Sequence, residues 1–347
     1  MKLSIKRADL ERLLIAGAAA LVLLLAAIGP ATSYPVDQFA VSPADILPDT
    51  PTVAPIVGPV QNTTVYYADA DGFLVPVTRP VGKTDGIAKA TLSMMVSSDE
   101  NDLAAARLGL TTVLPRETTF DLDIAGGKAR IDLSGNVLSM PDAQSEALMV
   151  SSVVQTLCEF DTVDSVEILV GGQKRSKLTH GTDVSTALTG NMLNLESVDA
   201  SANMANAQLV RLYFPSQTGR VLVPVTRAVF SPSDINTAVL ELVKGPKVET
   251  GLKNALPADT GLFDVSVADG VATINFSEAF AKITANSDGG QQALRALMLT
   301  CMQYPGVSHV ELLVNGKPFS PASMERPTFI NNAEQVAAQF PDVIEID

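Results

Sequence analysis

The sequence is poor in the residue types that metal sites and disulfide frameworks need. It has no tryptophan, only 5% aromatic residues, two cysteines and two histidines among 347 residues. Cys158 and Cys301 are too few for a zinc site or a disulfide framework, and they fall in apolar helical patterns where buried thiols are usual. His180 and His309 leave little for a histidine-based metal cage. We expect no metal and no cofactor.

Basic residues are also scarce. The chain has 24 lysines and arginines against 38 acidic residues, which gives a net charge of −14. A nucleic-acid-binding protein needs a basic face to neutralise phosphates, so nucleic acid is excluded as a partner. Hydrophobic residues make up 46% of the chain and charged residues 18%, which is typical of a globular protein with material for two cores.

The longest apolar run stands near the N-terminus. Four basic residues precede the uninterrupted apolar stretch 13–28, and no lysine or arginine follows until Arg79. The positive-inside rule therefore places the N-terminus in the cytoplasm and the body outside. Residues 1–31 are either an uncleaved signal-anchor, which makes a single-pass protein of the cell membrane, or a signal peptide cut after Ser33, which makes a secreted one. Both alternatives predict export.

Residues 32–61 separate this segment from the body. They are rich in proline and carry only acidic charges. Because closely spaced prolines block both helix and sheet, the segment is predicted to be an extended extracytoplasmic linker.

The body is a duplication. The hexapeptide LVPVTR occupies residues 74–79 and again 222–227. In both copies an apolar-aromatic strand precedes it, and a helix, a hairpin turning at Gly-Gly or Asp-Gly, a longer apolar helix and a closing strand follow. Each copy is therefore predicted to be a β-β-α-β-β-α-β domain of the α+β class, with two helices covering one face of a small sheet.

The duplication also sets the predicted boundaries. The first domain spans residues 62–181, a partly helical connector 182–208, and the second domain 209–319. The C-terminal tail, 320–347, is expected to pack back on a domain with a short helix over 333–339.

Fragments of two ligand-binding motifs are present, but neither is complete. Lys83 stands in a GKT sequence that lacks the earlier glycine of a P-loop. Asp69 and Asp71 resemble the start of a calcium loop without its later ligands, so an Asx turn between the first two strands is predicted instead.

Catalytic constellations are equally incomplete. His180 and His309 accompany no nucleophile motif. The carboxylates of Asp121, Asp123 and Glu278 could serve a glycosidase, but they have no equivalents across the copies and no aromatic platform for a sugar. We predict that the protein is not an enzyme.

Arg79 and Arg227 are charged residues at equivalent positions of the two copies, because each ends a copy of the hexapeptide. Each arginine either pairs with an acid of its own domain or faces a neighbouring molecule. The structural alternative is favoured, since a hexapeptide kept in both copies more often serves shape than binding.

These features together resemble the GerM (Germane) domain family of sporulation and spore-envelope proteins. The resemblance covers about residues 64–178 and 209–319, and rests on the hexapeptide, the Gly-Leu…Leu-Pro step after the first helix, the hairpin and the closing strand, in that order and twice. It implies a fold similar to the ring-building motif of secretion-channel rings, and an exported, membrane-attached, non-enzymatic factor of endospore formation. The chain lacks the lipoprotein cysteine of the best-known members, so the resemblance does not set its mode of anchoring.

The sequence thus predicts an exported scaffold or assembly factor of the spore envelope. Its partners would be other exported envelope proteins, in an assembly that could form a ring. With a net charge of −14, the body is expected to be mainly monomeric alone and to need a basic partner. The alternatives are a module that binds peptidoglycan, and a wall hydrolase or an accessory to one.

Overall fold

The computed structural model describes residues 59–190, 192–197, 204–283, 287–325 and 330–333. The predicted signal-anchor and nearly all of the proline-rich linker lie outside these ranges. Within them, none of the helices combines the length and the apolar character needed to cross a bilayer.

The first repeat opens with a hairpin and two short helices, and then adds a four-stranded sheet and a long helix. Its elements are β1 (Val60–Asp69), β2 (Leu74–Gly82), α1 (Ile87–Ser93), α2 (Asp99–Ala106), β3 (Leu110–Thr111), β4 (Phe120–Ala125), β5 (Lys128–Leu133), α3 (Ala143–Cys158), β6 (Ser165–Val170) and β7 (Gln173–Lys174).

The second repeat follows the same order without equivalents of α2 and β3. A short 3-10 helix (Met204–Asn206) leads into β8 (Gln208–Pro215), β9 (Leu222–Val229), α4 (Ile235–Lys244), β10 (Leu262–Ala268), β11 (Val271–Phe276), α5 (Asp288–Met302), β12 (His309–Val314) and β13 (Lys317–Glu325). The predicted α+β class is confirmed, and both copies contain the predicted β-β-α-β-β-α-β elements in that order, with α2, β3 and β7 added in the first copy and β13 in the second. Strand β13 runs beyond the predicted end of the second domain at residue 319.

Each repeat has two sheets where a single small one was expected. The first repeat has the sheets β2-β1-β3 and β4-β5-β6-β7, and the second has β8-β9 and β10-β11-β12-β13. In the four-stranded sheets the central pair is parallel and the outer pairs are antiparallel. The two hairpins, β1-β2 and β8-β9, also stay separate from each other. Pro76 and Pro224 stand in their outer strands and have no N–H group with which to continue a ladder from one hairpin to the other.

The long helices hold the two sheets of each repeat together. Helix α3 packs on β1 and β6, and α5 packs on β8 and β12. At the hairpin, the Ser152 hydroxyl donates to the carbonyl oxygen of Tyr66, and the Tyr66 N–H donates to Oγ1 of Thr156 over 3.1 Å. Each helix begins at a capping side chain, Asp142 or Ser287. Apolar side chains such as Val153 and Leu157 of α3 and Leu294 and Leu297 of α5 are buried, so each helix contributes to the core of its repeat.

The central hairpins turn as their sequences predict, but they differ in register. Gly126 and Gly127 have φ angles of 57° and 78°, and Asp269 and Gly270 have 50° and 81°, as a two-residue type I′ turn requires. In the first repeat the pairing runs without interruption, whereas in the second it shifts after Leu262. Phe263 is the extra residue of a β-bulge and has no counterpart in the first repeat.

The two hexapeptides meet at a seam, defined here as the contact between strands β2 and β9. Leu74 to Val77 and Leu222 to Val225 are buried without alternation. A strand pattern of this kind indicates that both faces are covered. The paired strands β1 and β8 lie on one side of each hexapeptide, so the outer edges of β2 and β9 are left facing one another.

Two asparagines fill the space between these edges. The Leu74 N–H donates to Oδ1 of Asn194 over 2.9 Å, and Nδ2 of Asn194 donates to the carbonyls of Leu74 and Pro224, both at 2.7 Å. The carboxamide therefore uses its acceptor and both donor hydrogens. Asn194 itself has a φ of 49°, a left-handed conformation that asparagine tolerates better than most residues.

Asn331 repeats the arrangement with the two copies exchanged. The Leu222 N–H donates to its Oδ1 over 2.7 Å, and its Nδ2 donates to the carbonyls of Leu222 at 2.8 Å and Pro76 at 2.9 Å. The backbone carbonyls of Asn194 and Asn331 also accept the N–H groups of Thr226 and Thr78. The seam thus has pseudo-two-fold symmetry, and the segment after each repeat pairs with the hexapeptide of the other. We call Asn194 and Asn331 the asparagine clamp.

The clamp predicts unequal losses of stability. Asn331 is 5% exposed, so Asn331→Ala leaves buried polar groups of Leu222 and Pro76 without partners and should lower the free energy of unfolding by at least about 2 kcal/mol. Asn194→Ala should cost about 1 kcal/mol, because Asn194 is half-buried and water can replace the amide. Chemical denaturation of the body measures both. The exposed Asn236→Ala is the control, with a change within about 0.5 kcal/mol. Equal effects of all three variants would contradict the clamp.

Candidate functional site

Arg227 lies inside the second repeat, at the end of β9. Its side chain is 8% exposed. Nε and Nη2 form a bidentate pair with Glu196 at 2.5 and 2.8 Å, and Nη1 lies 3.0 Å from Oε2 of Glu241. The guanidinium also donates to the carbonyls of Glu241 and Gly245, and its carbon lies 5.8 Å from the centre of the Phe214 ring. Arg227 therefore joins the connector to helix α4.

The electrostatics of this cluster favour the charged forms of Arg227 and Glu241. Burial alone would lower the pKa of Arg227, but Glu196 and Glu241 outweigh it and raise that pKa above its ordinary value. Burial would raise the pKa of Glu241, but Lys244 and Arg227 outweigh it and hold that pKa below its usual range. Such a buried cluster contributes little net stability, yet removing one member leaves an uncompensated buried charge.

Arg79 has a different environment in the first repeat. It is half-buried, and its Nη1 donates to the hydroxyl of Tyr67 over 2.9 Å. Tyr67 occupies the position of Phe214 in the hairpin register. Ser93 follows Arg79 at the spacing at which Glu241 follows Arg227. Likewise, Ala333 follows Asn331 at the spacing at which Glu196 follows Asn194. The two arginines that the sequence pairs are therefore not equivalent.

The histidines have structural contacts. Nε2 of His180 lies 2.7 Å from the carbonyl of Met140, and the His180 N–H donates to the buried carboxylate of Glu146 over 2.8 Å. Burial would raise the pKa of Glu146, but the N–H groups of His180 and Thr182 lower it below the ordinary value. Glu146 thus anchors this loop to helix α3. His309 lies on β12, with Nδ1 2.9 Å from the hydroxyl of Ser308.

The carboxylates and thiols singled out in the sequence are also dispersed. Asp121 and Asp123 are exposed on the edge strand β4, and Glu278 accepts from Nδ2 of Asn315 over 2.7 Å. Cys158 and Cys301 are free thiols, and burial raises the pKa of both. Across the described ranges, no three His, Cys, Asp or Glu side chains come together as a metal would require.

One depression of about 340 Å³ is lined by two aspartates, Asp69 and Asp142, together with Thr111 and Met140 among others. Asp69 forms the predicted Asx turn, since its Oδ1 accepts the N–H groups of Asp71 and Phe73 at 3.0 and 2.8 Å. Burial raises its pKa. Asp142 caps helix α3, and the Ser145 N–H lowers its pKa. Each carboxylate thus has a structural partner that explains its position.

Exposed apolar side chains lie mainly on the second repeat. Among the described residues, those of this kind are Leu209, Phe230, Leu240, Val248, Phe263 and Val267 in the second repeat, Met192 and Leu195 in the connector, and Val60 at the start of β1. Phe263 is 60% exposed at the bulge of β10. The sequence offers one signal of this bulge, since the doublet Leu262-Phe263 breaks the apolar alternation of the strand, whereas β4 begins with the single apolar residue Phe120.

Comparison with known proteins gives three concordant findings. The model of the Germane family, described as sporulation and spore germination, matches residues 64–176 and 211–320. The spore germination protein GerM of Bacillus subtilis (strain 168) is 29% identical over 265 residues, which cover 73% of this chain and 71% of that protein. The solved tandem GerMN domains of the sporulation protein GerM from Bacillus subtilis superpose with a TM-score of 0.65 at 26% identity, covering 79% of this chain and 99% of the solved one.

The two arginines predict different responses to the same substitution. Arg227→Met leaves Glu196, whose side chain is fully buried, without its cation, and should cost about 3–5 kcal/mol. Arg79→Met removes one hydrogen bond to Tyr67 and should cost about 1 kcal/mol. Thermal and urea unfolding measure the difference. Combining Arg227→Met with Glu196→Gln should restore part of the loss. A fully additive double variant would show that the pair is not coupled.

Proposed function

The chain belongs to the Germane family, and from that premise we propose that it is an exported, membrane-attached scaffold or assembly factor of the spore envelope. It acts in sporulation or germination through protein–protein contacts and catalyses no reaction. The family's description and the name of the GerM relative support a sporulation-related role. Export and anchoring by residues 1–31 are supported by the basic-then-apolar sequence alone.

The observation that carries the scaffold proposal is the clamped pair of repeats. The clamp joins the two repeats through buried hydrogen bonds, so they present their outer surfaces in a set relative orientation. A rigid pair can engage two partner sites at once, and the second contact then forms at a high effective concentration. Asp69, Asp142, Glu146 and Arg227 serve a turn, a cap, a loop anchor and an ion pair, respectively.

The seam also constrains how any ring could form. A pseudo-two-fold contact is isologous and closes on itself, whereas a ring needs head-to-tail contacts. Since β2 and β9 use their edges within one chain, a ring-forming assembly would have to use other surfaces. With a net charge of −14, it would recruit a basic partner among the other exported envelope proteins.

Cross-linking in sporulating cells tests this proposal. The full chain should be recovered in a defined complex with another exported envelope protein, and a strain lacking the gene should be impaired in sporulation or germination. A variant without residues 1–31 is the control, because it should stay in the cytoplasm and lose the complex. Release of muropeptides from wall material by the purified protein would contradict the proposal. Saturable binding to wall in the absence of any protein partner would favour the peptidoglycan-binding alternative.

A further inference from the structure

Strand β10 is an edge strand. It pairs with β11, and no other strand in the described part of the chain pairs with its outer side. In a two-residue hairpin, the residues that flank the turn form a hydrogen-bonded pair, and such pairs alternate along the ladder. Ala268 and Val271 flank this turn, so Val265 and Val267 direct their N–H and C=O groups away from β11. Helix α4 also contacts β10, but no described residue forms a backbone hydrogen bond with these outward groups, so the edge is a row of donors and acceptors open to another strand.

Exposed apolar side chains accompany this edge. Phe263 is 60% exposed and Val267 is 47% exposed. The bulge lies at the beginning of the strand, and Asp264 to Ala268 pair regularly with β11. The bulge thus leaves a regular edge of about five residues, with a phenylalanine at one end of it.

The corresponding edge of the first repeat is built differently. Strand β4 is regular and has no bulge, and its exposed positions carry Asp121 and Asp123. Asp121 stands in register with Asp264, although the sequence alone indicated no equivalent for it, so the carboxylate that the two edges do not share is Asp123. In β10, Ser266 stands where β4 has Asp123, and Val267 is more exposed than Ile124. The two edges have equal topology but unequal chemistry, so β4 is the internal reference for β10.

Charge decides between the occupants of the β10 edge. Asp264 lies within the strand and Asp269 begins its turn. A second copy would bring two chains of net charge −14 together and double these carboxylates at one edge. A basic segment would instead find them complementary.

We propose that the outer edge of β10 binds an extended, basic segment of a partner protein as an added strand. The backbone of Val265 and Val267 supplies hydrogen bonds, Phe263 and Val267 contact apolar side chains of that segment, and Asp264 and Asp269 select for lysine or arginine. This inference rests on the proposed function, because the partner is taken to be another exported envelope protein.

A synthetic peptide tests the inference without knowledge of the partner. The probe is a fluorescent, end-capped peptide of about eight residues that alternates lysine and valine, and the reference probe alternates glutamate and valine. Binding to the full chain in detergent is followed by fluorescence anisotropy. The lysine probe should bind at least about tenfold more tightly than the glutamate probe, with the difference shrinking as salt rises from about 0.05 M to about 0.5 M.

Matched variants locate the binding. Val267→Pro removes an outward N–H and should weaken the lysine probe at least about tenfold, whereas Ile124→Pro at the equivalent position of β4 should leave its affinity unchanged. Val267→Lys repels the lysine probe by charge and should also weaken its binding, so the test does not depend on whether the strand tolerates a proline. Thermal unfolding checks that each variant is folded.

The outcomes separate this inference from the proposed function. The β10 edge would be overturned as the docking site if the lysine probe did not bind or if both probes bound equally. It would also be overturned if Val267→Lys left the affinity for the lysine probe unchanged, or if Ile124→Pro lowered that affinity as much as Val267→Pro. Concentration-dependent dimers abolished by Val267→Pro would assign the edge to a second copy instead. If the cross-linked complex in sporulating cells survives Val267→Lys, the scaffold proposal stands and the edge is wrong. If the unaltered chain forms no complex, the proposed function itself fails.

Discussion

The contact between the two repeats depends on side-chain amides that take the place of missing backbone N–H groups. Pro76 and Pro224 deprive the outer edges of β2 and β9 of N–H groups, so the two hairpins cannot join as one sheet. Asn194 and Asn331 close the gap, each with one acceptor and two donors directed at backbone groups of both repeats. Because each asparagine follows one repeat and pairs with the other, the two repeats are tied together within one compact unit.

This clamp explains why the hexapeptide is kept in both copies while its arginines have diverged. Leu74 and Pro76, like Leu222 and Pro224, contribute backbone groups to the seam, and their side chains are buried. The arginine lies beyond these contacts and is free to acquire separate partners. In the second repeat it forms a buried cluster, and in the first it contacts a tyrosine. Duplication thus preserved the contact that joins the copies and left the outer surfaces to diverge.

Much of the fold was predictable, because its signals are local. The Gly-Gly and Asp-Gly turns, the helical periodicity and the letter-for-letter hexapeptide indicate the element order directly. The seam was not predictable, because Asn194 and Asn331 stand in segments without visible repetition, and the same is true of Glu196 beside Arg227. The one signal of the seam in the sequence is the unbroken apolar run of each hexapeptide. This run indicates that both faces of the strand are buried, but it does not indicate which residues cover them.

The account requires that the two repeats keep one relative orientation in solution. Residual dipolar couplings of backbone amides measure this directly, since each repeat reports its own alignment tensor. We expect one tensor to fit both repeats of the unaltered body, and two distinct tensors to be needed once Asn194 and Asn331 are both replaced by alanine. Distinct tensors in the unaltered body, or a single tensor that survives the double replacement, would contradict the clamp as the contact that fixes the repeats.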